Sequence, residues 1–506
     1  MPASTCIVAV DAGTTGIRSL VVDQHGAVVD LAYRELTQHF PRPGWVEHDP
    51  DEIRAGVMAT LDEVAGRLDP SAEVAAIGIT NQRETVVAWD RSSGQPLHRA
   101  IVWQDRRTAD ACLALEEAGL LPVVRDRTGL VLDPYFSATK MHWLLDQGGV
   151  EDGPDLALAT VDTWVLWHLT GGPAGGVLAT DATNASRTSL YDIRLRRWSE
   201  ELCGAFGVPM RALADVRPSC GTFGTVAPGV LAPDSPLTGV PISGMAGDQH
   251  AALVGQACFE PGMAKVTYGT GSFVLVNAGP ECPPPAPGLV TTIAWDLGDH
   301  GGDAPVAYAR EGSVFVSGAA IQWLRDGLGL IGESAEMGAL AASVDSSDGV
   351  VVVPAFAGLG SPHFDPAARG LISGLSRGTG RAHVARAVVE ALAYQVRDVL
   401  DAVAASGSPV TRLRVDGGAA AMDLLLALQA DQSRVEVSRP SSVESTAWGA
   451  AALAGLAEGV WGSTGDLADL WHEEASFSPS GDRTLADAGH AAWARAVERA
   501  GGWAHS

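Results

Sequence analysis

The chain has 506 residues, 46% of them hydrophobic and 19% charged, with a mean hydropathy of +0.11; this is too apolar for a disordered chain and ample for two or more large domains. Its 34 Lys and Arg against 60 Asp and Glu give a net charge of −26, a surface that repels phosphate backbones and anionic lipid, so neither nucleic acid nor a membrane is an expected partner. Six cysteines without a C-x-x-C pair, and no apolar run near the ~18 residues of a membrane span, point to a soluble cytoplasmic protein with buried free thiols.

In chain order, Cys6–Val10 reads as a buried strand, Asp11-Ala12-Gly13-Thr14-Thr15-Gly16 as a tight turn, Ile17–Asp23 as a returning strand and Ala27–Tyr33 as a third. A helix follows, with Asp49 as N-cap, Pro50 at N1, Glu52 closing a capping box, and Ile53, Val57, Leu61 and Val64 at helical spacing. Val74–Thr80 is a further strand, running into the polar Asn81-Gln82-Arg83-Glu84-Thr85. The glycine-rich stretch 171–176 reads as a surface loop, and Gly247-Asp248-Gln249-His250 separates an apolar strand from a helix. The opening pattern then returns: strand Met263–Tyr268, turn Gly269-Thr270-Gly271-Ser272, strand Phe273–Ala278. Pro283–Pro287 is an extended loop; beyond it come a strand at Leu413–Asp416, a helical stretch to Gln432, a strand at Arg434–Ser438 and a small-residue helix from Thr446. This repetition predicts two similar α/β halves, 1–255 and 256–506, facing each other across a cleft.

The first turn joins a strand-end carboxylate to Gly and hydroxyl groups, which suits a phosphate with its metal ion and equally suits an ordinary hairpin. A second such turn at Tyr268–Ser272 favours the nucleotide, clamped from both sides. Neither turn is a Walker A loop or a Rossmann fingerprint. Asp416-Gly417-Gly418 allows close approach of a sugar or base, or simply turns a strand into a helix. Asp248 is either a helix cap or a general base. Asn81 to Thr85 mix amide, guanidinium and carboxylate at a strand's carboxyl end, the donors and acceptors that grip hydroxyl groups, whereas Trp103 and Tyr135 are either core aromatics or ligand walls.

Eight longer strings go beyond single turns: PRPGWVEHDP (41–50), AAIGITNQRET (75–85), AIVWQDRRTA (100–109), TGLVLDPYFSATK (128–140), TDATNASRT (180–188), PISGMAGDQHAAL (241–253), GMAKVTYGTGSF (262–273) and RVDGGAA (414–420). With them the chain resembles the FGGY carbohydrate kinase family, and ITNQRET, VWQ and DPYFS resemble its glycerol-phosphorylating branch. The resemblance implies an α/β fold of two ribonuclease-H-like, actin-like domains that close on ATP and Mg²⁺ and convert glycerol to sn-glycerol 3-phosphate. It implies that Arg83, Glu84, Tyr135, Asp248 and Gln249 contact the glycerol hydroxyls, that Trp103 and Phe273 line its carbon side, and that Asp248 is the catalytic base. Thr14, Thr15, Arg18, Thr270, Gly318, Gln322 and Gly418 would contact the nucleotide and Asp11 the Mg²⁺ shell; a dimer or tetramer is implied as well.

Ala12, Gly16-Ile17 and Met422 depart from the family's usual residues, and Met422 removes a nucleotide hydrogen bond. Alternatives of the same fold are kinases for erythritol or xylulose; from another class, an actin-like ATPase that phosphorylates no small molecule leaves Arg83, Glu84 and Asp248 unexplained. From Gly224 to Gly239 there is no Arg, Lys or His, so the loop that binds fructose 1,6-bisphosphate in some family members is expected to be a plain connection here.

Overall fold

The computed structural model describes residues 5–302, 304–442 and 444–505. Two mixed sheets organise it. The first has six strands in the order Cys220–Thr225, Pro241–Gly247, Glu73–Asn81, Thr5–Ala12, Gly16–Asp23, Val28–Glu35; the second has seven, Glu473–Phe477, Val437–Pro440, Arg412–Asp416, Met263–Tyr268, Ser272–Gly279, Val306–Val314, Val290–Asp296. Each central strand, Thr5–Ala12 and Met263–Tyr268, pairs antiparallel with the strand that follows it and parallel with a later one, Glu73–Asn81 or Arg412–Asp416. Outward from these, the pairings repeat from sheet to sheet, and the second adds Val290–Asp296 at its edge.

Strands buried on both faces read as nearly continuous apolar runs, which is why Cys6–Val10 was legible. One face of the first sheet, with Val8, Val10, Ile77 and Ile79, packs on Ile53, Val57, Leu61 and Val64 of helix Pro50–Arg67. In the second half Val266, Val274 and Val276 pack on Val388, Leu392, Val396 and Val399 of helix Arg381–Ala405.

Two expectations are corrected. Asp49 caps its helix through Asp51 N–H at 3.0 Å, but Glu52 closes no capping box: its carboxylate accepts from Thr37 N–H and Oγ1 at 2.9 and 2.8 Å, tying the helix to the preceding loop. The strand expected from Arg434 begins at Val437, because Arg434, at φ +68°, ends helix Asp423–Ser433 in the left-handed conformation and donates to the Ala430 carbonyl.

The opposite face of the first sheet, with Ile7, Ala9, Leu20, Val22 and Ala76, is covered by helix Ser445–Ala457, which comes from the second half of the sequence. That helix also crosses Asp248–Gly255, and glycines make the approach possible. A Cβ on Gly449 would lie 1.8 Å from the Ala251 carbonyl oxygen, one on Gly255 1.9 Å from that of Ser445, and one on Gly78 2.1 Å from that of Ala450. All six cysteines are free, Cys282 alone being only partly buried. Among the described residues no helix is long and apolar enough to cross a membrane.

The crossing predicts a contrast. Gly449→Ala should lower unfolding stability by at least about 1–3 kcal/mol, as overpacking does, whereas Gly66→Ala, with nothing within 4 Å of its added Cβ, should be neutral or stabilising. Urea midpoints of the two variants check this; equal midpoints would mean that the helices part without strain.

Candidate functional site

Strand Glu73–Asn81 ends at the seam between the halves, and the residues that follow turn inward. Arg83 and Glu84 are 2% and 1% exposed, and Glu84 sits at φ +60°, a left-handed conformation that costs a non-glycine residue about 1–3 kcal/mol and must be held by its surroundings. Arg83 Nη2 donates to Tyr135 Oη at 3.1 Å, and Arg83 Nε lies 3.2 Å from Asp248 Oδ1. Gly247 precedes that aspartate; a Cβ there would come within 2.6 Å of Arg83 Cγ, so glycine lets the guanidinium stem pass. Trp103 meets Tyr135 and Phe273 edge-on, with ring centroids 5.7 and 6.0 Å apart. Its indole Nε1 donates to Thr14 Oγ1 at 3.0 Å, linking this aromatic wall to the first glycine turn.

Beneath the wall lies a closed ring of charge. Glu311, fully buried, accepts from Arg83 Nη1 at 2.7 Å and Nη2 at 3.0 Å and from Arg187 Nη2 at 3.0 Å; Arg187 Nε in turn donates to Glu84 Oε1 at 2.6 Å. Burial alone would push the Glu311 carboxyl up, but Arg187 and Arg83 overcome it and hold that carboxyl well below the usual carboxylate range. Lys140 fixes the Tyr135 loop, its ammonium donating to the carbonyls of Pro134, Tyr135 and Phe136 at 2.9, 2.7 and 2.9 Å. On the far side of Asp248, the Gln249 amide oxygen accepts from Lys265, a buried lysine that also donates to Thr267 Oγ1 at 2.9 Å; burial pushes its ammonium down to about 8.

Both glycine turns are hairpins, closed by Gly13 N–H on the Gly16 carbonyl at 3.0 Å and by Gly269 N–H on that of Gly271 at 2.9 Å. The second is anchored by Gly318 and Ala319, whose N–H groups donate to the carbonyls of Gly269 and Thr270 at 2.9 and 3.1 Å. Gly417, at φ +88°, packs its Cα against the Tyr268 backbone where any side chain would clash. Asp11 is 7% exposed; burial pushes its carboxyl up to about 7, Arg18 opposes, and Asp248 and Glu444 add to the rise. Arg18, across the strand pair from Asp11, lies 3.4 Å from its Oδ2 and donates to Glu444 Oε2 at 2.6 Å.

The structure therefore brings Arg83, Glu84, Trp103, Tyr135, Asp248, Gln249 and Phe273 together, with Thr14 at their edge. Thr270 and Gly318 form a second group. Thr15, Gln322 and Gly418 are exposed, Gln322 at the end of the short helix that Gly318 begins, while Arg18 is an ion-pair bridge between the halves. Met422 packs beside Gly338 and the second core. Sequence reasoning missed Glu311, Arg187, Lys265 and Glu444. An Arg310-Glu311 pair in the middle of the buried strand Val306–Val314 was the readable signal for the first of these.

The fold agrees with the comparisons. The N-terminal domain of the FGGY family of carbohydrate kinases matches residues 6–255 and its C-terminal domain residues 264–458, and the chain belongs to that family. It is 49% identical to a glycerol kinase of Symbiobacterium thermophilum over 98% of this chain and 99% of that one, and 50% identical to a glycerol kinase of Halorhodospira halophila over 98% and 97%. A crystal structure of Plasmodium falciparum glycerol kinase with ADP superposes with a TM-score of 0.91 at 33% identity, covering 98% of each chain.

The raised Asp11 carboxyl has a measurable sign. It binds its proton more tightly folded than unfolded, so its contribution to stability falls as pH rises from about 4 to about 7. An amide cannot ionise. In metal-free buffer Asp11→Asn should therefore gain on the parent protein by on the order of 3 kcal/mol between pH 4 and pH 8. Urea unfolding at both pH values checks this, and a pH-independent difference would mean that Asp11 ionises normally.

Proposed function

We propose that the chain transfers the γ-phosphoryl group of ATP to a terminal hydroxyl of glycerol, giving ADP and sn-glycerol 3-phosphate. The observation that carries this reading is the cluster of Arg83, Tyr135 and Asp248 walled by Trp103 and Phe273. It offers donors and acceptors for a small triol beside an apolar edge for its carbons. Aromatic walls this close suit three carbons better than the five of a ketose. The full-length identity to proteins named glycerol kinases points the same way.

In this reading Arg83, Glu84, Tyr135 and Gln249 hold the glycerol hydroxyls, and Trp103 and Phe273 pack on its carbons. The backbone and hydroxyl donors of Thr14, Thr15 and Thr270 bind the phosphates, and Arg18, Gly318, Gln322 and Gly418 lie along the rest of the nucleotide. Both contacts to Asp248, from Arg83 Nε and Gln249 N–H, fall on Oδ1, which leaves Oδ2 to accept the proton of the attacking hydroxyl. As the new O–P bond forms, the bond to the β–γ bridging oxygen breaks and ADP leaves. Asp11 fits a Mg²⁺ ion, because it is a hard oxygen donor whose negative charge, next to Asp248 and Glu444, a cation would compensate. Bound there with the nucleotide, Mg²⁺ would neutralise phosphate charge. We place the enzyme in the cytoplasm as a dimer or tetramer.

An ADP-release assay with glycerol, dihydroxyacetone, erythritol and xylulose against a blank without acceptor tests the substrate. Glycerol should give the highest kcat/KM; a preference for xylulose, or turnover independent of acceptor, would overturn the reading. Asp248→Asn should lower kcat at least ~10²-fold with ATP affinity nearly unchanged. A variant with normal kcat would remove Asp248 from the proton transfer.

A further inference from the structure

The ring Arg83–Glu311–Arg187–Glu84 contains two cations and two anions, all buried, and three of its members precede residue 255. Glu311 is the exception. It sits on Val306–Val314, between Leu275 of one neighbouring strand and Val290 of the other, so its backbone is fixed on both sides. From there the chain runs directly into Ser317, Gly318 and Ala319, whose N–H groups donate to the Gly269 and Thr270 carbonyls at 2.8–3.1 Å. Strand and turn also touch before that point, since a Cβ on Gly271 would lie 2.4 Å from the Val314 carbonyl oxygen. A single backbone segment, 311–319, thus holds the acceptor-side guanidinium at one end and the second glycine turn at the other.

The same ring supports the aromatic wall. The Arg187 guanidinium lies 5.5 Å from the Tyr135 ring centroid and 5.1 Å from that of Phe136. Both oxygens of Glu311 are committed to guanidinium groups. With three guanidinium bonds and the Ser313 hydroxyl on Oε1 at 3.4 Å, the carboxylate's four acceptor positions are filled, so a shift of its strand would strain its bonds to Arg83 and Arg187.

We infer that Glu311 and Arg187 are positioning residues that couple occupancy of the nucleotide turn in the second half to the acceptor geometry of Arg83 and Glu84 in the first. The inference rests on the reading that Arg83 and Glu84 hold the acceptor. Neither Glu311 nor Arg187 is assigned a contact with either substrate.

The experiment is calorimetric titration of glycerol with and without saturating ADP, and of ADP with and without glycerol. It uses the parent protein, Glu311→Gln, the charge-balanced pair Glu311→Gln with Arg187→Met, and Arg83→Ala. In the parent, nucleotide should tighten glycerol binding at least ~5-fold, and glycerol should tighten ADP binding by the same factor, as linkage requires. In Glu311→Gln the two glycerol affinities should converge to a ratio near one while ADP alone binds within about twofold of the parent. If Glu311→Gln does not fold, the paired variant, which removes one charge of each sign, takes its place and should show the same loss of coupling.

A parent ratio of one, or a folded variant that keeps the parent ratio, would overturn the inference. So would equal weakening of glycerol and ADP, which marks a purely structural role. Arg83→Ala separates the two levels. If it leaves glycerol binding untouched, the acceptor reading fails; if it abolishes glycerol binding while Glu311→Gln keeps full coupling, only the inference fails.

Discussion

The crossing of two helices at Gly449 and Gly255 sets the distance between the halves. With a Cβ at either position the backbones could not approach, since each would lie less than 2 Å from a carbonyl oxygen. Polar contacts across the seam form at that spacing, among them Arg18 with Glu444, Arg83 and Arg187 with Glu311, and Gln249 with Lys265. Charged side chains have a fixed reach, and hydrogen bonds weaken steeply beyond about 3.2 Å. Small-residue packing in an apolar layer therefore controls the electrostatics of a polar one.

Those electrostatics are unusual for so deep a position. An isolated buried charge carries a desolvation penalty of several kcal/mol, and apolar side chains of similar volume often replace a buried ion pair without loss of stability. The ring offsets part of the penalty, since each carboxylate in it meets a guanidinium and the four charges sum to zero, but burial still pushes the Glu84 carboxyl up. Asp11 illustrates the opposite case. Burial raises its proton affinity, Arg18, which also serves Glu444, only partly opposes that, and Asp248 and Glu444 add to the rise.

Much of this was legible in the sequence. Buried strands declare themselves as apolar runs, so Thr5–Ala12, Glu73–Asn81 and Met263–Tyr268 were located to within a residue or two, and the strand–turn–strand repeat revealed the doubled architecture. Residues next to one another in a string, such as Arg83 and Glu84, stood out because they form a polar run at the carboxyl end of a buried strand. What remained hidden was pairing over long sequence distances. Nothing local tells that Glu52 will reach back to Thr37, or that Glu311 lies opposite an arginine 228 positions earlier. The covering of the first sheet by Ser445–Ala457 was hidden for a related reason: a helix of Ala and Gly is apolar on every side, and its composition does not say which half it serves.

The link from Trp103 to Thr14 carries this one step further. An indole N–H in an apolar wall needs an acceptor, and the one it finds belongs to the turn that follows Asp11. The aromatic wall and the first glycine turn are thus joined within the first half by a side-chain hydrogen bond, while across the seam Arg83 is joined to the second glycine turn through Glu311 and the segment anchoring Thr270. Two independent connections of this kind fix the aromatic wall and the two glycine turns in one geometry. In the reaction proposed above, positioning and charge neutralisation supply most of the rate, and a framework of this kind would supply the positioning.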